Sequence, residues 1–129
     1  MSLNHRETYT GITDRDRALT TRRFGELAGE VYELSNSEAM EALGKEFRTP
    51  GHIPLCRESP GGLSKRQGHT ELAVAIARLS GNIPCTIGAE MLDPDGDGAL
   101  SLQEARKYAE EHGIPMITGN DIMESMDMV

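Results

Sequence analysis

The chain has no tryptophan, two phenylalanines (Phe24 and Phe47) and three tyrosines (Tyr9, Tyr32 and Tyr108). Aromatic side chains bury the most area per residue, so a core made without them leans on Ile, Leu, Val, Ala and Met. Cysteine is scarce as well: Cys56 and Cys85 are too few for a disulfide framework, and a reducing, cytoplasmic setting is the default. Neither stands at metal-type spacing from the other or from a histidine, and Cys85 reads as a buried strand residue. Basic residues number 13 against 21 acidic ones, a net charge of −8. That balance excludes a general nucleic-acid clamp, which needs a counterion-releasing basic surface, but it leaves room for a local phosphate site. No apolar run approaches the ~18 residues of a membrane span. The start does not read as a signal peptide.

With 129 residues, 37% hydrophobic and 26% charged, the composition fits one globular domain spanning 1–129, in which Met1–Leu3 read as start or tag residues. Fourteen glycines and six prolines imply much turn and loop. An extended segment is expected at Glu7–Thr10. Thr13 or Asp14 caps a helix to about Glu33, with Leu19, Phe24, Leu27 and Val31 at helical spacing. Ser37 is expected to cap a second helix carrying Met40, Leu43 and Phe47. Residues 48–68 read as a long irregular stretch, a length usually tied to function. His69–Leu79 reads as a helix with Gly81 past its end, Ile83–Met91 as a buried strand, and Asp93–Gly98 as an acidic turn. A helix from Ser101 to His112 follows, with Ser101 and Glu104 at capping-box spacing; then come a strand at Ile114–Thr118 and a last helix from Asn120. Met123, Met126 and Met128 read as a packed helix face or a frayed tail. The alternation of strands and helices is an α/β or α+β pattern.

Four segments have the residue types for chemistry. In Arg66-Gln67-Gly68-His69-Thr70-Glu71 a helix start meets a guanidinium, a hydroxyl and an imidazole, which suits a phosphate or a metal; the same residues also serve as an ordinary helix start. Pro50-Gly51-His52 sets a histidine on a rigid turn, either solvated or catalytic. Glu90 closes the expected strand among hydrophobic neighbours, where a carboxylate carries protons or simply faces water. Asp93, Asp95, Asp97 and Glu104 match the ligand spacing of an EF-hand calcium loop, although the segment before them reads as a strand rather than a helix and Glu104 has a capping role open to it.

Taken together, these segments resemble one family, 3,4-dihydroxy-2-butanone 4-phosphate synthase. Thr10-Gly11-Ile12-Thr13-Asp14-Arg15-Asp16-Arg17 is similar to its TG…DR stretch. Phe47-Arg48-Thr49-Pro50-Gly51-His52 resembles its R-x-PGH loop, and Arg66–Glu71 its R-x-GHTE motif, the most specific of the three. Similarity runs from about Asn4 to Ile122, and Asn4-His5-Arg6 and Gly44–Phe47 look most like archaeal members. The resemblance implies an α+β fold with a mixed sheet flanked by helices, and a homodimer with active sites near the subunit interface. It also implies a riboflavin-pathway lyase that converts ribulose 5-phosphate to 3,4-dihydroxy-2-butanone 4-phosphate and formate with Mg²⁺ or Mn²⁺. By position it makes His52 and Glu90 catalytic and His69 a metal ligand. Arg66, Gln67, Gly68, His69 and Thr70 hold the substrate's phosphate end, with Thr10, Asp16 and Arg17 lining or supporting the site.

The family's N-terminal portion, with an acidic loop that supplies another metal ligand, is not among these residues, and Ala89 stands where many members carry cysteine. The expectation is a lyase chain whose unaided activity is doubtful, or one completed by a separate polypeptide. The alternatives are a phosphate-binding remnant or a calcium module through Asp93–Glu104. No nucleic-acid or membrane partner is expected.

Overall fold

The computed structural model describes residues 1–127. The chain divides into two compact units, Met1–Thr86 and Ile87–Val129.

In the first unit, strand β1 (Ser2–His5) leads into helix α1 (Asp14–Glu30), helix α2 (Asn36–Glu46), strand β2 (Phe47–Pro54), a short 3-10 turn at Gly62–Ser64 and helix α3 (His69–Leu79). Thr13 caps α1 by accepting the N–H of Asp16. The cap of α2 is Ser35 rather than Ser37. Glu38 stands three residues after Ser35 and its carboxylate accepts from the Ser35 backbone N–H, closing a capping box that Ser37 cannot form. β1 and β2 pair antiparallel, with Leu3 opposite Ile53 and His5 opposite Phe47. The core gathers Leu3, Leu27 and Phe47, with Phe24, Val31, Ala42, Leu43 and Leu55 packed against them. The rings of Phe24 and Phe47 meet edge to face at 5.9 Å, which partly offsets the scarcity of aromatics. Arg23 reaches from α1 to the Glu46 carboxylate at the end of α2, with its Nε at 3.1 Å and Nη2 at 2.8 Å.

The structure differs from two of the expectations. The opening strand is Ser2–His5, and Glu7–Thr10 is a turn. Leu3 is a core residue, and Met1 O accepts from the N–H of Leu55. Residues 48–54 belong to β2 instead of to a loop.

The second unit holds helices α4 (Leu102–His112) and α5 (Gly119–Asp127). Ser101 caps α4 by accepting from Glu104 N at 3.2 Å, and Gly113 ends it in a left-handed conformation at φ +63°. Thr118 and Asp121 exchange hydrogen bonds at the start of α5. Ala109 and Ile122 are its buried apolar residues among those described. Met123 is half-buried and Met126 exposed, while Met128 lies outside the described residues.

Neither Ile83–Met91 nor Ile114–Thr118 is a strand. Both are apolar, but Pro84 and Pro115 each remove a backbone donor, and no neighbouring strand pairs with them among the described residues. The α+β class holds. The sheet of the described residues is one antiparallel pair where a mixed sheet was expected.

Candidate functional site

The β1–β2 ladder is interrupted between Leu3 and Asn4. Leu3 pairs with Ile53 and Asn4 with Arg48, so Thr49–His52 stand out from β2 as a bulge. Gly51 makes the bulge possible: a Cβ there would lie 2.0 Å from the Leu3 carbonyl carbon. Its N–H donates to Ser2 Oγ at 3.2 Å. His52 follows, and its backbone N–H donates to Asn4 Oδ1 at 2.8 Å. The imidazole Nδ1 faces the same oxygen at 3.2 Å.

Asn4 is 4% exposed and has a second neighbour. Gly11, at φ +84°, packs so tightly that a Cβ on it would lie 2.1 Å from Asn4 Nδ2. The turn that carries Gly11 is tied to α1 by Asp16, whose Oδ2 accepts from Gly11 N at 2.8 Å and Thr10 N at 3.1 Å. These donors, the Gly11 N–H foremost, hold the Asp16 carboxyl below its ordinary range. Thr10, Asp16 and His52, expected to share a site, are thus joined through Asn4. Arg17 takes no part in this cluster. Its Nη2 donates to Asp14 Oδ1 at 2.6 Å, one helical turn back on the exposed face of α1.

The Arg66–Glu71 segment forms a second cluster in the same unit. Glu71, in the first turn of α3, is 1% exposed. Its Oε1 accepts from Ser59 N at 2.9 Å and its Oε2 from Arg66 Nη1 at 2.6 Å. With the Ser59 N–H as the largest cause, the carboxyl is held down to about 2. Gly68 lies beneath this pair: a Cβ on it would stand 2.2 Å from Arg66 Nη1 and 2.9 Å from Glu71 Oε2. The glycine of R-x-G-x-x-E is therefore the gap across which arginine and glutamate meet. Gly68 is also the N-cap of α3 and offers no side-chain acceptor, so the helix start is left without a side-chain cap. Gln67 and His69 are exposed and Thr70 is half-buried beside that end. The Arg66 side chain remains 60% exposed.

Glu90 lies in the second unit, exposed and outside regular structure, and Ala89 beside it is exposed too. The Asp93–Gly98 turn is the tip of a hairpin in which Leu92 bridges Ala99 and Asp93 N donates to Gly98 O at 2.9 Å. Asp93 Oδ1 accepts from Asp95 N at 3.0 Å, a bond internal to the turn.

Among the described residues no three His, Cys, Asp or Glu side chains gather as a metal site. His69 by itself does not fit Mg²⁺, a hard cation that takes several oxygen donors.

Sequence reasoning missed Asn4 and Ser59 and read Glu71 only as a helix-start residue. Glu71 had a signal in its spacing from Arg66 and Gly68. Asn4 and Ser59 had none, because each acts on a partner distant in sequence.

A family model for 3,4-dihydroxy-2-butanone 4-phosphate synthase matches residues 1–125. The 3,4-dihydroxy-2-butanone 4-phosphate synthase of Methanosarcina mazei is 46% identical over 123 residues, covering 95% of this chain and 48% of the relative. That of Archaeoglobus fulgidus is 47% identical over 122 residues, covering 95% of this chain and 50% of the relative. Riboflavin biosynthesis protein RibBA of Staphylococcus aureus is 34% identical over 125 residues, 96% of this chain and 28% of that protein. The chain spans about half the length of the archaeal relatives it matches. Because the match runs almost from one end of the sequence to the other and takes in the TG…DR, PGH and GHTE motifs, the chain belongs to the 3,4-dihydroxy-2-butanone 4-phosphate synthase family.

Proposed function

We propose that this chain supplies the phosphate-gripping and proton-transferring part of a lyase site that converts ribulose 5-phosphate to 3,4-dihydroxy-2-butanone 4-phosphate and formate. What carries the reading is the start of α3, where Arg66, pinned on buried Glu71 across Gly68, stands beside a helix N-terminus that has no side-chain cap. Free N–H groups, the positive end of a helix and a guanidinium together favour a phosphate dianion. Thr70 adds a hydroxyl donor, and Gln67 and Gly68 complete the turn around the phosphate.

His52 and Glu90 are the proton carriers of the reaction, one on a bulge fixed by Gly51 and the other in the second unit. Thr10 and Asp16 act as support, since the Asp16 carboxylate is occupied in closing the Thr10–Gly11 turn. Arg17 lies at the margin of the site. His69 contributes one donor to a Mg²⁺ or Mn²⁺ ion whose oxygen donors come from outside these residues, either from the family's acidic loop on a separate polypeptide or from a second copy in a homodimer. The free thiols of Cys56 and Cys85 accord with a reducing, cytoplasmic setting.

The test has two parts. Titration calorimetry of ribulose 5-phosphate into the chain should show binding that Arg66→Ala and Thr70→Ala weaken; affinity unchanged in both variants overturns the phosphate assignment. Formate release is then followed with Mg²⁺ or a chelator, with and without the family's N-terminal half in trans. Metal-dependent release is expected only with that half present. Release by the chain alone would refute the need for outside donors, and none in either case would refute the lyase reading.

A further inference from the structure

Asn4 is almost wholly buried, yet its side-chain oxygen points at two groups of the same residue, the backbone N–H and the Nδ1 of His52. The backbone contact settles which end of the amide faces His52. A backbone N–H only donates, so the atom 2.8 Å from it must be the oxygen. That in turn settles the imidazole. An amide oxygen only accepts, so the Nδ1 that faces it at 3.2 Å must carry a proton. In a neutral imidazole the other nitrogen then holds the lone pair. His52 Nε2 has no hydrogen-bond partner among the described residues, and the residue is exposed.

The amide itself is held from behind. Gly11 closes on Asn4 Nδ2 so tightly that any Cβ would overlap it. Asp16 clamps the Gly11 turn in place. Strand β1 fixes the Asn4 backbone opposite Arg48.

We propose that Asn4 is a positioning residue for His52: its oxygen locks the imidazole in the Nδ1–H form and leaves Nε2 bare to take a proton from a bound sugar phosphate. The inference deepens the reading of His52 as a proton carrier and rests on it. An outer hydrogen bond that sets the tautomer and ring orientation of a working histidine is an economical device, because the working nitrogen needs no other preparation.

The test reads the tautomer directly, without substrate. Two-bond proton–nitrogen correlation spectra of the ¹⁵N-labelled full chain at neutral to mildly alkaline pH report which ring nitrogen is protonated. The chain has four histidines, so His52→Gln identifies the His52 signals by their loss. The expected result is a Nδ1–H, Nε2-bare pattern for His52. Asn4→Ala should shift it towards the Nε2–H form that free imidazole prefers. Asn4→Asp, which keeps an acceptor at the same place, should restore the Nδ1–H pattern. A wild-type His52 in the Nε2–H form, or an Asn4→Ala spectrum identical to wild type, overturns the proposal. If Asn4→Ala does not fold, the wild-type and Asn4→Asp spectra decide alone. Formate release is a separate readout: a locked Nδ1–H tautomer with no release under any condition sinks the lyase reading and leaves the positioning role standing.

Discussion

Gly68→Ala tests the geometry of the Arg66 site at a modest cost to the fold. At φ −104° the Gly68 backbone is one that alanine adopts without strain. The added methyl would meet Arg66 Nη1 at 2.2 Å and Glu71 Oε2 at 2.9 Å; the arginine is the far end of a flexible, exposed side chain and moves aside, whereas the buried carboxylate stays on the Ser59 N–H and must give by a few tenths of an ångström. Replacing an N-cap glycine by alanine loses up to about 1 kcal/mol at the helix start. Reduced freedom of the unfolded chain returns about 0.4–1 kcal/mol. Moving Arg66 aside also withdraws one donor from the buried Glu71 carboxylate, which keeps the Ser59 N–H; with the Arg66 side chain itself 60% exposed this costs about 1 kcal/mol, so the melting temperature should fall by no more than about 10 °C. Binding should respond much more. A hydrogen bond to a charged group is worth about 1.5–3 kcal/mol, so removing Arg66 from a bound phosphate should weaken it roughly 10- to 150-fold. Calorimetric titration of ribulose 5-phosphate into wild type, Gly68→Ala, Arg66→Ala and the double variant reads this. The double variant should bind no more weakly than Arg66→Ala, because both changes remove one interaction. Full affinity in Gly68→Ala, or additive losses in the double variant, would refute the idea that Gly68 exists to let Arg66 reach Glu71.

Gly51→Ala should behave in the opposite way: its Cβ would strike backbone of Leu3, which cannot yield, so β1 should detach from β2, with loss of cooperative melting in calorimetry. Thr20→Val removes the oxygen that accepts from the buried N–H of His5 at 3.0 Å and should cost about 1–3 kcal/mol in urea unfolding. The Glu71 carboxyl is held down to about 2 from an ordinary 4.5. The unfolded chain therefore binds the proton more readily than the folded one. Its contribution to stability is complete above about pH 4.5 and drains away as the pH falls towards 2. Melting temperature against pH should consequently fall less steeply over that window in Glu71→Gln than in wild type, and parallel curves would refute it. Ser35→Ala should lose about 1 kcal/mol by opening the capping box of α2.

The residues by themselves determined whatever depends on near neighbours. Helix α1 from its Thr13 cap, α3 over His69–Leu79 and the stop of α4 at Gly113 all follow from caps, period and glycine, which act within a few residues. The three motifs were equally legible, because each is a short run whose residue types and spacing suffice to recognise it.

Tertiary structure decided everything that needs a partner from elsewhere in the chain. A strand exists only if a neighbour accepts its hydrogen bonds, so Ser2–His5 found β2 while the apolar runs at 83–91 and 114–118 found none among the described residues. Register decided that Thr49–His52 bulge out of the ladder. Burial decided that Glu71 is an anchor for Arg66 and Ser59 rather than a surface helix-start residue. The part of Asn4 is of the same kind. One amide oxygen faces a histidine 48 positions away in sequence, and that contact arises only where β1 lies against the bulge of β2.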